Sequence, residues 1–129
     1  MPLTLQLADE TTAGERRAAG DLQFETATTT LREIIRRRVQ QETERFNQSD
    51  VEPFRGLVQP EETERILNGV RERRVLDWQK QFAKAIHAFQ GNGFLVLAGD
   101  RQITDLDEAL PLDEQSEIIF LKLLPLIGG

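Results

Sequence analysis

Hydrophobic and polar positions alternate and regroup along the chain in a way that separates strands from helices. In "LTLQL", Leu3, Leu5 and Leu7 recur at period two, which predicts a half-buried strand. The polar stretch at residues 8–21, with Gly14 and Gly20, predicts a long loop, and "LQFET" alternates again through Leu22 and Phe24. Together they predict a hairpin with a wide connection. From Leu31 the period changes. Leu31, Ile34, Ile35, Val39 and Phe46 fall on one helical stripe, behind Thr30 as N-cap and Glu33 completing a capping box.

Asn47, Ser49, Pro53, Gly56 and Pro60 break that helix. Pro60, with acids behind it and Asn68–Gly69 at the end, predicts a short helix over residues 60–69. A third helix is predicted over residues 71–90, with Val75, Trp78, Phe82, Ile86 and Phe89 at helical spacing and Gly91-Asn92-Gly93 as its stop. "FLVLAGDRQI" predicts a strand, a turn at Gly99–Asp100 and a short returning strand. A polar connection anchored by Leu106, Leu110 and Leu112 leads to "EIIFLKLL", apolar on both faces, which predicts a strand inside a sheet. The expected class is α+β, a mixed sheet with helices packed on one face.

Composition changes this picture little. The 129 residues suit one domain, and 39% hydrophobic with 29% charged residues is an ordinary globular balance. No apolar run is long enough for a membrane span, and "MPLTLQLADE" lacks the basic-then-apolar order of a secretion signal. The absence of cysteine excludes disulfides and thiolate chemistry, and the cytoplasm is the default expectation. A net charge of −6 opposes nucleic-acid binding by bulk electrostatics and suits a basic partner surface. Arginine outnumbers lysine thirteen to three, a bias that a GC-rich genome produces with no functional meaning.

Several candidate sites have plain structural readings. Arg36–Arg38 and Arg71–Arg74 are interspersed with Glu42, Glu44 and Glu72, so a solvated helix face is expected rather than a nucleic-acid patch. Asp105, Asp107, Glu108, Asp113, Glu114 and Glu117 lack the spacing of a calcium loop. His87 stands without a second His or Cys, so no metal site is expected. Trp78 is expected to anchor the stretch inserted after residue 47 onto the rest of the domain rather than to bind a partner. If Leu95, Leu97, Ile119, Leu121 and Leu123 face the core, Val96 and Phe120 lie on the outer face. They would then form a partner-binding patch, unless the helices after residue 47 cover them.

The order of elements, with a last strand leading into "LPLIGG", resembles the ubiquitin-like β-grasp family. The closing segment "FLVLAGDRQITDLDEALPLDEQSEIIFLKLLPLIGG" resembles that of ubiquitin. Its end is similar to the sulfur carriers of molybdopterin and thiamine biosynthesis, with Pro125 as the one matching proline. The resemblance covers about residues 1–46 and 93–129. It implies a single ubiquitin-like domain over residues 1–129, a helical insertion at about 47–92, and an extended tail at 124–129.

The resemblance further implies a protein that is not itself an enzyme. An E1-like (ThiF-type) activating enzyme uses ATP to adenylate the Gly129 carboxylate. A conjugating enzyme, a deconjugating peptidase and target proteins are the further partners it implies for a bacterial modifier. Gly128 and Gly129 would thread the activating enzyme's channel because they lack Cβ atoms, with Pro125, Leu126 and Ile127 docking at its mouth. The alternatives are a sulfur carrier ending in a thiocarboxylate, and a non-covalent adaptor.

Overall fold

The computed structural model describes residues 2–49, 55–59, 64–67, 70–73, 75–113 and 115–123. Its strands are β1 (Leu3–Thr11), β2 (Arg16–Phe24), β3 (Thr28–Thr29), β4 (Glu64–Leu67), β5 (Val70–Arg73), β6 (Phe94–Ala98), β7 (Arg101–Ile103), β8 (Leu110–Pro111) and β9 (Glu117–Lys122). Its helices are α1 (Leu31–Gln48) and α2 (Trp78–Gln90). The class is α+β. The described residues divide into two compact units, one drawn from Met1–Ile34 and Ala88–Gly129, the other from Ile35–His87.

The first unit is built on a five-stranded mixed sheet of order β2-β1-β9-β6-β7. β1 runs parallel to β9, and the other neighbours are antiparallel. The last strand therefore lies in the middle of the sheet, as its two apolar faces predict. The first hairpin is longer than its hydrophobic alternation suggests. Residues 8–11 and 16–21 pair as strand, and only residues 12–15 form the turn. β2 is an edge strand with mostly exposed side chains, so the sheet adds backbone pairing there without an apolar signature. The register slips between Leu7 and Ala8, leaving Ala19 unpaired beside Gly20 at φ 98°. That bulge needs a residue without a Cβ.

The core of this unit holds Leu5, Leu7, Leu22, Phe24, Phe94, Val96, Ile103, Ile118 and Phe120 from the sheet, with Leu31, Ile34, Phe89, Leu106 and Leu110. Phe94 sits between Phe89 and Phe120, with ring centroids 6.0 and 5.9 Å away in tilted geometry. Thr30 caps α1, its Oγ1 accepting the Glu33 amide at 3.2 Å. The Arg32 amide donates to the Leu106 carbonyl at 3.0 Å, which fixes the helix start to the connection after β7. α2 stops as expected. Gly93 donates to Ala88 at 2.7 Å and Asn92 to Phe89 at 3.1 Å, with Asn92 at φ 60°, a Schellman motif with asparagine in the left-handed position.

The expected facing of β6 and β9 is inverted. Val96 and Phe120 are both 0% exposed, and Leu95, Leu97, Ile119 and Leu121 occupy the opposite face, half-buried. Val96 pairs with Phe120 and with Ile103, whose side chain is also buried. The patch assigned to Val96 and Phe120 is thus core. The alternation was read at the right period with the wrong phase, because both phases of these strands are apolar.

The second unit departs from an all-helical insertion. Residues 64–67 and 70–73 form a β4–β5 hairpin where helices were expected, with Leu67 paired to Val70. α2 begins only at Trp78, because Asp77 caps it: Oδ1 accepts the Gln79 amide at 2.9 Å, and the carbonyl accepts Gln81 at 3.1 Å. Val75, placed on the buried stripe by spacing, is 83% exposed. Asn47 holds Leu76 by two 2.9 Å bonds, donating Nδ2 to its carbonyl and accepting its amide. The loop at 55–59 is held from three sides. Glu42 accepts the Leu57 amide at 3.0 Å, Gln81 donates to the Val58 carbonyl at 3.3 Å, and Lys84 donates to the Gln59 carbonyl.

Arg38 also overturns an expectation. It is 1% exposed rather than solvated, with Nε donating to Glu42 at 3.1 Å. Burial is tolerated because the cation is paired one turn away on its own helix. Arg36 lies 6.0 Å from the centre of the Trp78 ring, a cation–π contact within this unit.

The facing of the sheet is testable by denaturation. Phe120→Ala should lower stability by about 3–5 kcal/mol, since it empties a fully buried aromatic site. Leu121→Ala, on the half-buried face, should cost about 1 kcal/mol. Equal losses would contradict the assigned facing.

Candidate functional site

The expected site residues Pro125, Leu126, Ile127, Gly128 and Gly129 lie outside the described residues. The root from which they continue is described. β9 ends at Lys122, which pairs with Thr11 of β1 on one side and Phe94 of β6 on the other. The Thr12 amide donates to the Lys122 carbonyl at 3.2 Å, so the β1–β2 turn grips the last strand residue. That turn is itself braced: the Thr11 amide donates to the Glu15 carbonyl at 2.9 Å, and Gly14 to Thr11 at 3.0 Å. Lys122 Nζ stands 4.0 Å from the largely buried Asp9 carboxylate, an ion pair at the same end of the sheet. Leu123 follows with 42% exposure. Backbone pairing on both flanks and a grip from the turn thus hold the chain up to residue 122.

The outer sheet face is the second element. Cross-strand pairing places Leu97 beside Ile119 and Leu95 beside Leu121, and Ile119 beside Ala8 of β1. This makes an apolar strip over the three central strands, half-buried on β6 and β9 and buried at Ala8 of β1. Its β1–β2 flank carries charge. Arg16 donates Nη1 to Glu10 at 2.8 Å and Nη2 to Glu117 at 2.5 Å, linking β2, β1 and β9. Those two carboxylates raise the Arg16 pKa, the Glu10 hydrogen bond first, so the guanidinium stays charged at every working pH. The sequence showed apolar residues at these positions but not which phase faces outward.

The acidic connection proves to be a set of local ties. Arg32 donates Nε to Asp107 Oδ1 at 2.9 Å and Nη2 to Oδ2 at 3.1 Å. Arg101 pairs with Glu108. Asp105 accepts the Asp107 amide at 2.9 Å, and Asp113 accepts that of Gln115 at 2.8 Å. These are turn-forming contacts. Among the described residues, no group of three His, Cys, Asp or Glu is arranged to hold a metal ion. No helix among them is long and apolar enough to cross a membrane. The chain matches no protein-family model, no curated protein and no solved structure.

The Arg32–Asp107 fork carries a pH prediction. The hydrogen bond from Arg32, with a smaller contribution from its charge and against an opposing desolvation, holds the Asp107 carboxyl below its ordinary value of 3.8. A depressed folded pKa contributes stability above the unfolded value, and that contribution is lost as pH falls through the folded one. A carboxyl-carbon NMR titration should place Asp107 below 3.8, and Arg32→Ala should move it back toward that value. No upward movement in the variant would contradict the pairing.

Proposed function

We propose that this chain is a ubiquitin-like protein of β-grasp fold whose Gly129 carboxylate is the reactive group, activated by a partner. The observation that carries the reading is the position of β9. It is the central strand, parallel to β1 and antiparallel to β6, and from its gripped end at Lys122 the sequence continues as Leu-Leu-Pro-Leu-Ile-Gly-Gly. The strand order β2-β1-β9-β6-β7, with α1 entered after the first hairpin, supports the β-grasp assignment.

In the leading version the chain is a bacterial modifier. An E1-like enzyme joins the Gly129 carboxylate to AMP from ATP and releases pyrophosphate. A thiolate then displaces AMP to give a thioester, and a target amine displaces the thiol to give an amide. Glycine at 128 and 129 lets the tail thread a narrow channel and leaves the carbonyl open to attack. Pro125 limits the tail's freedom before it binds, and Leu126 and Ile127 supply apolar docking. The outer strip of Leu95, Leu97, Ile119 and Leu121 takes the partner-binding role first assigned to Val96 and Phe120.

Two features favour a sulfur carrier as the second reading. The tail has no arginine before its glycines, and it carries Pro125 close to them. In that case the sulfur nucleophile leaves a thiocarboxylate on Gly129.

The two fates differ in mass. The chain should be recovered from its own cells with an affinity tag at the first residue and analysed intact. Higher-mass species resistant to thiols, with Gly129 in amide linkage to lysine, are expected for a modifier. Replacement of one oxygen by sulfur at Gly129 would transfer the assignment to a carrier. If removing Gly129 changes neither the mass species nor the cellular phenotype, the tail reading fails and a non-covalent adaptor stands.

A further inference from the structure

A cavity of about 490 Å³ opens beside the far edge of the sheet, within the size range of about 300–1,000 Å³ that ligand sites occupy. It lies within the first unit and is separate from the root of the tail. Its apolar lining is Phe89, Phe94, Ile103 and Leu106, all buried. One wall is β7 with the chain that follows it, Gln102 to Asp107. The opposite wall is the end of α2 and its cap, Phe89, Gln90 and Asn92.

Two properties of this lining identify its occupant. The first is the edge. β7 pairs with β6 alone, and among the described residues no strand flanks its other side. An edge strand offers a row of backbone donors and acceptors to another extended chain. The second is the character of the rim. The carboxamides of Gln90, Asn92 and Gln102 and the hydroxyl of Thr104 make no hydrogen bond among the described residues, and all four residues are exposed. Each carboxamide both donates and accepts, which matches a peptide group.

The rim carries one cation and two carboxylates: Arg32 is committed to Asp107 through two bonds, and Asp105 accepts the Asp107 amide while keeping its charge. An anionic ligand head would find no uncommitted cation among these residues. We propose that this cavity binds an extended peptide segment, without acidic side chains, of a partner protein, which pairs with the free edge of β7 and inserts one large apolar side chain against Phe89, Phe94, Ile103 and Leu106. The site is independent of the tail, so a chain lacking Gly129 retains it.

The probe is a capped pentapeptide, threonine-valine-phenylalanine-valine-threonine, acetylated and amidated so that it carries no charge. It is titrated into the full ¹⁵N-labelled chain. Saturable shifts are expected at the amides of Gln102, Ile103, Thr104, Asn92 and Gly93, with a dissociation constant of about 1 mM or tighter. The amides of Ile119 and Leu121, on the outer face, should not move; Leu95 borders both surfaces and is not diagnostic. Gln90→Ala with Gln102→Ala changes two exposed side chains, so the fold should persist, as its own spectrum would verify. That variant should bind about fivefold more weakly.

Several results would overturn the proposal. They are an absence of saturable shifts, shifts centred on Ile119 and Leu121, or unchanged affinity in the folded double variant. Saturable binding of benzamide at the same amides, with none of the peptide, would reassign the cavity to small planar amides.

Discussion

The parallel pairing of β1 with β9, from Gln6 opposite Glu117 to Thr11 opposite Lys122, is the constraint on which the first unit depends. It joins the first strand of the chain to the last and sets two antiparallel hairpins into one sheet. A contact so distant in sequence is entropically costly to close, so buried side chains must offset it. They do so through Phe120, Ile118, Leu5 and Leu7 on one face, and through Ile119 against Ala8 on the other. Because β9 is flanked by strands on both sides, its direction and its end point are fixed by backbone hydrogen bonds up to Lys122.

That placement divides the sheet into surfaces with different tasks. The inner face is core. The outer face carries a half-buried apolar strip bordered by the Arg16 fork to Glu10 and Glu117. The far edge, at β7, has no second strand beside it among the described residues and borders a cavity. In the proposed function the outer strip orients the chain on a partner while the tail reaches a reactive centre. The edge cavity is free for a different contact at the same time.

Much of this was legible in the sequence, for physical reasons that also explain the rest. α1 was legible because its stripe and its Thr30 cap agree, and the stop of α2 because Asn92 and Gly93 suit a left-handed cap. The central place of β9 was legible because both its faces are apolar. That same property hid its phase: Leu95 and Leu97 are as apolar as Phe94 and Val96, so period two alone could not say which pair is inside. The length of β1 and β2 was hidden because an exposed edge strand such as "RRAAGD" needs no hydrophobic alternation. β4 and β5 were read as helix because Pro60 with the acids behind it suits a helix start and Asn68–Gly69 suits a helix end; between two short runs the same Asn-Gly pair is also the sequence of a two-residue hairpin turn. Arg38 was hidden because its pairing with Glu42 one turn on is local, whereas its burial is a tertiary outcome that charge counting cannot show.

The measurement that tests the central claim most directly is ATP–pyrophosphate exchange catalysed by an E1-like activating enzyme, of the kind the proposed function calls for. It reads the first chemical step alone and does not depend on what becomes of the acyl group. If the Gly129 carboxylate is the group that is adenylated, the intact chain should stimulate exchange, and the chain lacking Gly129 should leave it at background. Exchange that is unaffected by the intact chain, or equally stimulated by the shortened one, would contradict the account.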